Sequence, residues 1–226
     1  MEPEPPTPPT SLAWVWRAWL RDAARYRYYD DQDGARRPAW VGLTRAILAH
    51  QGLQTSTLYR LCQAGVVLRC RPGTRGVGQV LAAVCPVLAR VNDVVNGIWI
   101  SPQADIGPGL FIGHYGGVII GAVRIGENCN IGHGVTIGRG RPGEARPTLG
   151  DRVMVAAGAK LLGSLDLGDD VLVGANAVVT RSFGDRAVLA GDPVRVLSHA
   201  GSFEYLRYPG CDDDPARRAA LSQAAA

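Results

Sequence analysis

Two histidines carry the clearest chemical signal in this 226-residue chain. His114 and His133 stand nineteen residues apart, and each is the third residue of a hexapeptide opening on isoleucine, Ile112 or Ile131. Histidine titrates near neutrality, so one held in a groove can take the proton from a hydroxyl. A stretch of small residues follows, with Gly138, Ala157, Gly158 and Ala175 at repeat corners. Such a rail lets an extended ligand approach the backbone closely, as the pantetheine arm of a coenzyme does, but tight corners need small residues in any case. Lys160 is the only lysine. Glu144 and Arg146 lie in a polar segment between repeats, where each is equally a solvated loop charge or a partner for a charged substrate. The five cysteines (Cys62, Cys70, Cys85, Cys129, Cys211) are odd in number and lack CxxC spacing, which reads as reduced thiols in a reducing cytoplasm. A zinc site needs about three protein ligands, and only His114 and His133 are suitably placed, so no metal is expected.

These residues must be positioned by the tract from Ile98 to Val179. Aliphatics recur every six residues at Ile100, Ile106, Ile112 and Val118, at Ile125, Ile131 and Ile137, and again from Leu149 through Leu161 to Val179. A period of six is neither helical nor a simple strand alternation; it is the signature of a parallel β-helix whose short sides each bury one aliphatic. Three sides make a triangular coil of about eighteen residues, giving roughly four and a half coils. The spacing is seven between Val118 and Ile125, and twelve between Ile137 and Leu149, with Gly143 where an aliphatic is due. Arg139–Pro147, rich in glycine, proline and charge, must leave the coil as a loop. Counted this way, His114 and His133 share one edge in adjacent coils, about 5 Å apart. The same count puts Asp151 on that edge, and Ala157 with Ala175 on a different one that continues to the loop after Gly138.

Upstream, residues 1–10 are proline-rich and read as extended or disordered; they are acidic where a secretory signal is basic. Ser11 can cap a helix from Leu12 to about Tyr29. Its tryptophans, Trp14, Trp16 and Trp19, fit packing against the body or a neighbouring subunit, because the apolar run is too short to span a bilayer. Asp30–Gly34 reads as a turn. A second helix is expected from Val41 to Gln63, broken near Gln51–Gly52. After an Arg- and Gly-rich connection, a third runs from Val80 to Asn96 with Leu81, Val84, Leu88, Val91 and Val95 on one face. Pro86 should kink that helix or delay its start. The organisation is therefore α+β: a tail at 1–10, a helical domain at 11–97, a β-helix at 98–197 and a C-terminal tail at 198–226. Within that tail, Ser202–Pro209 is expected to strap back onto the body and Cys211–Ala226 to fray. A net charge of +4 makes no case for nucleic acid.

Pro108-Gly-Leu-Phe-Ile-Gly-His-Tyr-Gly-Gly-Val118 resembles the segment around the catalytic histidine of serine O-acetyltransferases. Ile131–Gly138, Ala156–Gly163, Val173–Val179 and the closing Ala190-Gly-Asp-Pro-Val-Arg195 are similar to the same family. Trp19–Asp22, His50–Leu53 and Leu58–Leu61 echo its helical domain more weakly. The resemblance implies a left-handed β-helix, a homotrimer, and direct acetyl transfer from acetyl-CoA to an alcohol with His114 as the base. It implies a coenzyme path past Gly138, Ala157, Gly158 and Ala175 between subunits, with Lys160 or Arg195 near the phosphates. Whether trimers pair into hexamers stays open.

The chain departs from the family's pattern where the acceptor binds. Gly113 replaces an aspartate before the histidine, and Ala145-Arg146-Pro147 replaces Arg-His-Pro. Glu144 and Arg146 are candidate replacement charges, Arg146 by pairing a carboxylate in bidentate fashion, and His133 is a spatial stand-in for the missing histidine. A sugar or specialised-metabolite acceptor therefore stands beside serine, and a zinc hydratase or a non-catalytic scaffold stands as the reading from another class. The terminal Ser-Gln-Ala-Ala-Ala226 lacks the isoleucine of members that dock into the next enzyme of cysteine synthesis, so stable docking is not expected.

Overall fold

The computed structural model describes residues 11–31, 38–114, 116–141 and 143–224. The proline-rich start and the turn at Gln32–Gly34 lie outside them. Four helices come first: α1 (Leu12–Asp30), α2 (Ala39–Ala49), α3 (Gln51–Arg69) and α4 (Arg75–Asn96). Ser11 caps α1 as its position predicts, accepting the Trp14 amide at 3.1 Å. The break between α2 and α3 falls at His50, whose extended backbone interrupts the helical path. α4 begins earlier than expected and runs through Pro86 rather than starting after it.

The stretch from Ile98 to Ala190 winds as a parallel β-helix with three faces. The first face stacks Ile98–Ile100, Val118–Ile120, Thr136–Gly138, Lys160–Leu162 and Val178–Val179. The second stacks Asp105–Ile106, Arg124–Ile125, Thr148–Leu149 and Asp166–Leu167, extended by a bridge from Leu167 to Phe183. The third stacks Phe111–Ile112, Asn130–Ile131, Met154–Val155, Leu172–Val173 and Val188–Ala190, and the strand Arg195–Ser198 closes it in antiparallel sense. Inward aliphatics form one continuous core, with Ile106, Ile120, Ile137, Val155, Leu161 and Val173 fully buried.

The register corrects the six-residue count in two places. On the first face the aliphatic slot is held by Ile120, which pairs with Ile100 and Ile137; Val118 sits two residues earlier, the slot Val135 fills in the next coil. The corner after Ile112 therefore carries two extra residues and the corner after Ile120 one fewer; the observed seven is their net. Second, Ile131 pairs with Val155 and Ile125 with Leu149, so the twelve residues from Ile137 to Leu149 are one side plus a six-residue excursion, not two sides. A buried side cannot be built from Arg139–Pro147, so the coil closes without it.

The helices cap the open end of the solenoid, where first-coil backbone groups have no coil above them. The Asp22 carboxylate accepts the amides of Gly109 and Leu110 at 2.7 and 2.9 Å and pairs with Arg60 at 2.9 Å. Arg60 donates to the carbonyls of Ile106 and Gly107, and the Tyr59 hydroxyl to that of Ala104. The Tyr26 hydroxyl accepts the Ile112 amide at 2.9 Å. Gly52 permits this approach, because a Cβ there would stand 2.2 Å from the Ile112 carbonyl oxygen.

Two regions need a structural account beyond their sequence reading. The apolar face of α4 points outward: Val77, Val80, Val84, Val87, Val91 and Val94 are all exposed, while Cys85 and Asn96 are buried. By length and composition alone this helix could cross a membrane. The strap after Leu197 does return to the body, with Ser202 donating to the Arg152 carbonyl and Leu206 buried. The segment expected to fray instead forms α5 (Pro215–Ala224), anchored by buried Arg217, which donates to the carbonyls of Phe203 and Leu206. Arg217, together with Arg186 of the β-helix donating to the Ala220 carbonyl at 3.0 Å, supplies the attachment that composition hides.

Candidate active site

The corners between the third and first faces form one edge that carries both histidines. Phe111–Ile112 lies directly on Asn130–Ile131, so His114 and His133 occupy the same slot in successive coils. Their rings are 6.0 Å apart, edge to face, and both are exposed. Among the described residues, no side chain hydrogen-bonds to either ring. His114 is held from behind: the Gly113 amide donates to the Ile131 carbonyl at 2.9 Å, and Tyr26 of α1 grips the Ile112 backbone. The backbone of His114 is left-handed, with φ of 63°. That conformation costs energy for residues with a Cβ and tends to persist where surroundings enforce it, often at functional positions. Here the two extra residues of the corner enforce it.

The edge continues through Ala157 and Ala175, not Asp151. The six-residue excursion shifts every later residue, and Asp151 falls between the second and third faces, where its carboxylate accepts the Glu127 amide at 2.8 Å. The predicted histidine edge and the predicted small-residue rail are thus the same edge. The Gly158 amide donates to the His133 carbonyl, and the Asn176 amide to that of Ala157. Lys160 stands just inside this edge; its Nζ donates to the Gly134 carbonyl at 2.6 Å and to the Thr136 hydroxyl at 3.1 Å.

Three of the remaining predicted residues, Gly138, Glu144 and Arg146, lie elsewhere in the single chain. Gly138 ends a strand on the far side of the first face, about 10 Å across by strand rise, and a Cβ there would meet open space. The excursion starts beside it. Glu144 closes that loop on itself, its Oε2 accepting the amides of Gly140 and Arg141 at 3.1 and 3.0 Å. Arg146 reaches the Gln103 carbonyl at 3.4 Å, while its Nε is buried without a partner among the described residues. Arg195 is exposed on the closing strand, opposite Ala190. The structure therefore gathers His114, His133, Ala157, Gly158, Lys160 and Ala175, sets Arg195 at the far end of the same edge because Ala190 stacks on Gly174, and leaves Gly138, Glu144 and Arg146 apart. Tyr26 carries no chemical signal in the sequence, because it stands at a helical apolar position of α1. Its burial beside Ile112 could not be seen without the register. A cavity of about 410 Å³, lined by Leu12, Val15, Trp16 and Trp19, lies between α1 and α3, not on this edge. Among the described residues no group of three His, Cys, Asp or Glu side chains is placed to hold a metal.

An exposed histidine over a rail of small corners on a parallel β-helix is a frame for moving an acyl group. No protein-family model matches the chain. A serine acetyltransferase of Helicobacter pylori is 39% identical over 170 residues, spanning 74% of this chain and 91% of that protein. The crystal structure of the Brucella abortus serine acetyltransferase superposes with a TM-score of 0.66 at 25% identity, covering 84% of this chain and 71% of that one. A soybean serine acetyltransferase complexed with serine gives 0.63 at 28% identity, covering 82% and 70%. The chain belongs to the serine acetyltransferase family and is an acyltransferase.

Proposed function

We propose that this chain transfers the acetyl group of acetyl-CoA to the hydroxyl of serine, with His114 as the general base. The observation that carries the reading is the constrained, exposed imidazole of His114 at the head of the small-residue edge. The imidazole takes the hydroxyl proton as the serine oxygen attacks the thioester carbonyl. The tetrahedral oxyanion collapses, the C–S bond breaks, and the coenzyme thiolate recovers the proton from the imidazolium. The products are O-acetylserine and free coenzyme A. Base catalysis of this kind contributes about 10²–10⁴-fold. The pantetheine arm lies along Ala157, Gly158 and Ala175, where no bulky side chain intrudes. Lys160, Gly138 and Arg195 border its course, and His133, Glu144 and Arg146 flank the acceptor. The relatives' acceptor weighs against the sugar alternative.

The separation of Glu144, Arg146 and Gly138 from His114 supports a homotrimer in which the loop of one chain faces the histidine edge of the next. Outward Trp99 and Ile119 on the first face, 40% and 47% exposed, and the valine face of α4 are surfaces a neighbour would cover. The winding is read as left-handed and the compartment as the cytoplasm. Sedimentation tests the assembly: Val84→Glu with Val91→Glu is expected to shift the protein toward monomer, and a monomeric wild type would end the trimer reading. Thiol release from acetyl-CoA, measured with serine, homoserine and sugars, tests the chemistry. The expected outcome is serine-dependent release that His114→Ala removes. Full rate in that variant would reject His114 as the base, and sugar-dependent release with inert serine would reject the acceptor.

A further inference from the structure

Arg25 is 1% exposed, yet no carboxylate among the described residues pairs with it. Of the other buried arginines, Arg60 faces Asp22 and Arg152 faces Asp170, while Arg217 has its two terminal nitrogens on the Leu206 and Phe203 carbonyls. Arg25 donates to the Gly109 carbonyl at 3.0 Å and to the Asn130 side-chain oxygen, and its guanidinium lies 5.9 and 5.6 Å from the ring centres of Phe111 and Tyr208. Its Nε has no hydrogen-bond partner among the described residues. A buried cation answered only by neutral groups is costly, and an anion brought to it gains a charge-assisted hydrogen bond.

A cavity of about 220 Å³ opens at this arginine. Its walls include Arg21, Arg25 and Asn128 on one side and Tyr208 and Asp214 of the C-terminal strap on the other, with Ala24 between. That is room for about seven waters, or for one small organic molecule. The walls carry both signs. Asp214 already accepts the Tyr208 hydroxyl at 2.5 Å and the Ala216 amide at 2.9 Å, and keeps acceptor capacity toward the cavity. Inorganic phosphate would bring two charges against that carboxylate, and an amine alone would leave Arg25 unanswered. We propose that this cavity binds a free small α-amino acid, its carboxylate on Arg25 and Arg21 and its ammonium toward Asp214. The site lies on the edge away from His114 and does not depend on the acetyl-transfer reading.

Calorimetry on the full chain tests it with glycine, acetate, methylammonium and inorganic phosphate as probes. Glycine is expected to bind saturably, in wild type and in His114→Ala alike, with acetate, methylammonium and phosphate each roughly tenfold weaker or worse, the loss expected when one charge-assisted contact is missing or opposed. Ala24→Leu, which fills the cavity without touching Arg25, is expected to abolish glycine binding while leaving the melting temperature and serine-dependent activity in place. Equal binding of acetate or phosphate overturns the amino-acid assignment. Undiminished glycine binding in folded Ala24→Leu, or its loss in His114→Ala, overturns the site. The four-probe comparison on wild type stands even if a variant fails to fold.

Discussion

Two edges of the β-helix are built from the same corner and reach opposite states. Between the second and third faces, the left-handed slots hold Asn128, Arg152, Asp170 and Arg186, at φ of 55–60°. The preceding residues form a ladder: Asp151 accepts the Glu127 amide, Asp169 the Asp151 amide and Asp185 the Asp169 amide, each at 2.8–2.9 Å. Arg152 closes the ladder onto Asp170 at 2.8 Å. On the histidine edge the equivalent left-handed slots hold Gly134, Gly158 and Asn176, and the preceding residues are His133, Ala157 and Ala175. Those side chains form no ladder. An edge that satisfies its own polar groups holds the coils together and offers a ligand nothing. An edge that leaves imidazoles and small corners open gives up that bonding and can bind.

The sharpest way to break the contrast is to remove one key residue from each edge. His114→Ala is expected to lower kcat by about 10²–10⁴-fold while leaving the melting temperature little changed, since alanine also carries a Cβ and does not relieve the left-handed conformation. Arg152→Met leaves the Asp170 carboxylate buried without its partner and is expected to destabilise the fold by about 3–5 kcal/mol in urea unfolding. Activity at low temperature should survive in the second variant. If Arg152→Met lost activity as deeply as His114→Ala while still folded, the division between a stability edge and a chemical edge would fail.

A milder test adds bulk. Ala157→Leu places a side chain on the rail, where the coenzyme arm is proposed to lie, and is expected to raise KM for acetyl-CoA about tenfold, the effect of losing one good contact, with kcat and melting temperature little changed. Leucine at Asp169 should do the reverse, lowering the melting temperature by breaking the ladder while sparing KM.

The difference between these edges was only partly legible in the sequence. The hexapeptide period made the β-helix plain, and the pairing of His114 with His133 survived because each stands two residues after its own third-face isoleucine, and Ile112 pairs with Ile131 however the extra residue between them is placed. Past Ile137 the count failed. A six-residue excursion has the length of one repeat, so Arg139–Pro147 passed as a missing side rather than as an insertion, and Ala157 landed on the wrong edge. Only hydrogen-bonded register separates those two cases. The roles of Asp22, Tyr26 and Arg60 were hidden for another reason. They answer backbone groups of the first coil from helices 40 to 90 residues away in sequence, as with Tyr26 and Ile112 at a separation of 86, and no local pattern records such a contact.

The smallest effect concerns the strap that covers the stability edge. Burial opposes ionisation of Asp214, but the Tyr208 hydroxyl and the amides of Ala216 and Arg217 outweigh it and hold the carboxyl below its usual 3.8. A carboxyl lowered by folding contributes stability above its unfolded pKa, and that contribution is lost as pH falls through the folded value. Asp170 has the opposite sign: burial, only partly offset by Arg152, raises it, so its contribution is greatest below the unfolded value and is lost as pH rises through the folded one. On one edge, two carboxyls therefore pull the acid limb in opposite directions. Wild-type stability, measured by urea unfolding from about pH 5 down to about pH 3, should fall toward acid less steeply than the Asp214 contribution alone would give. Asp214→Asn should flatten or invert that slope, with Tyr208 fluorescence reporting release of the strap. An unchanged slope in Asp214→Asn would mean the strap is held by Arg217 and Leu206 without help from the carboxylate.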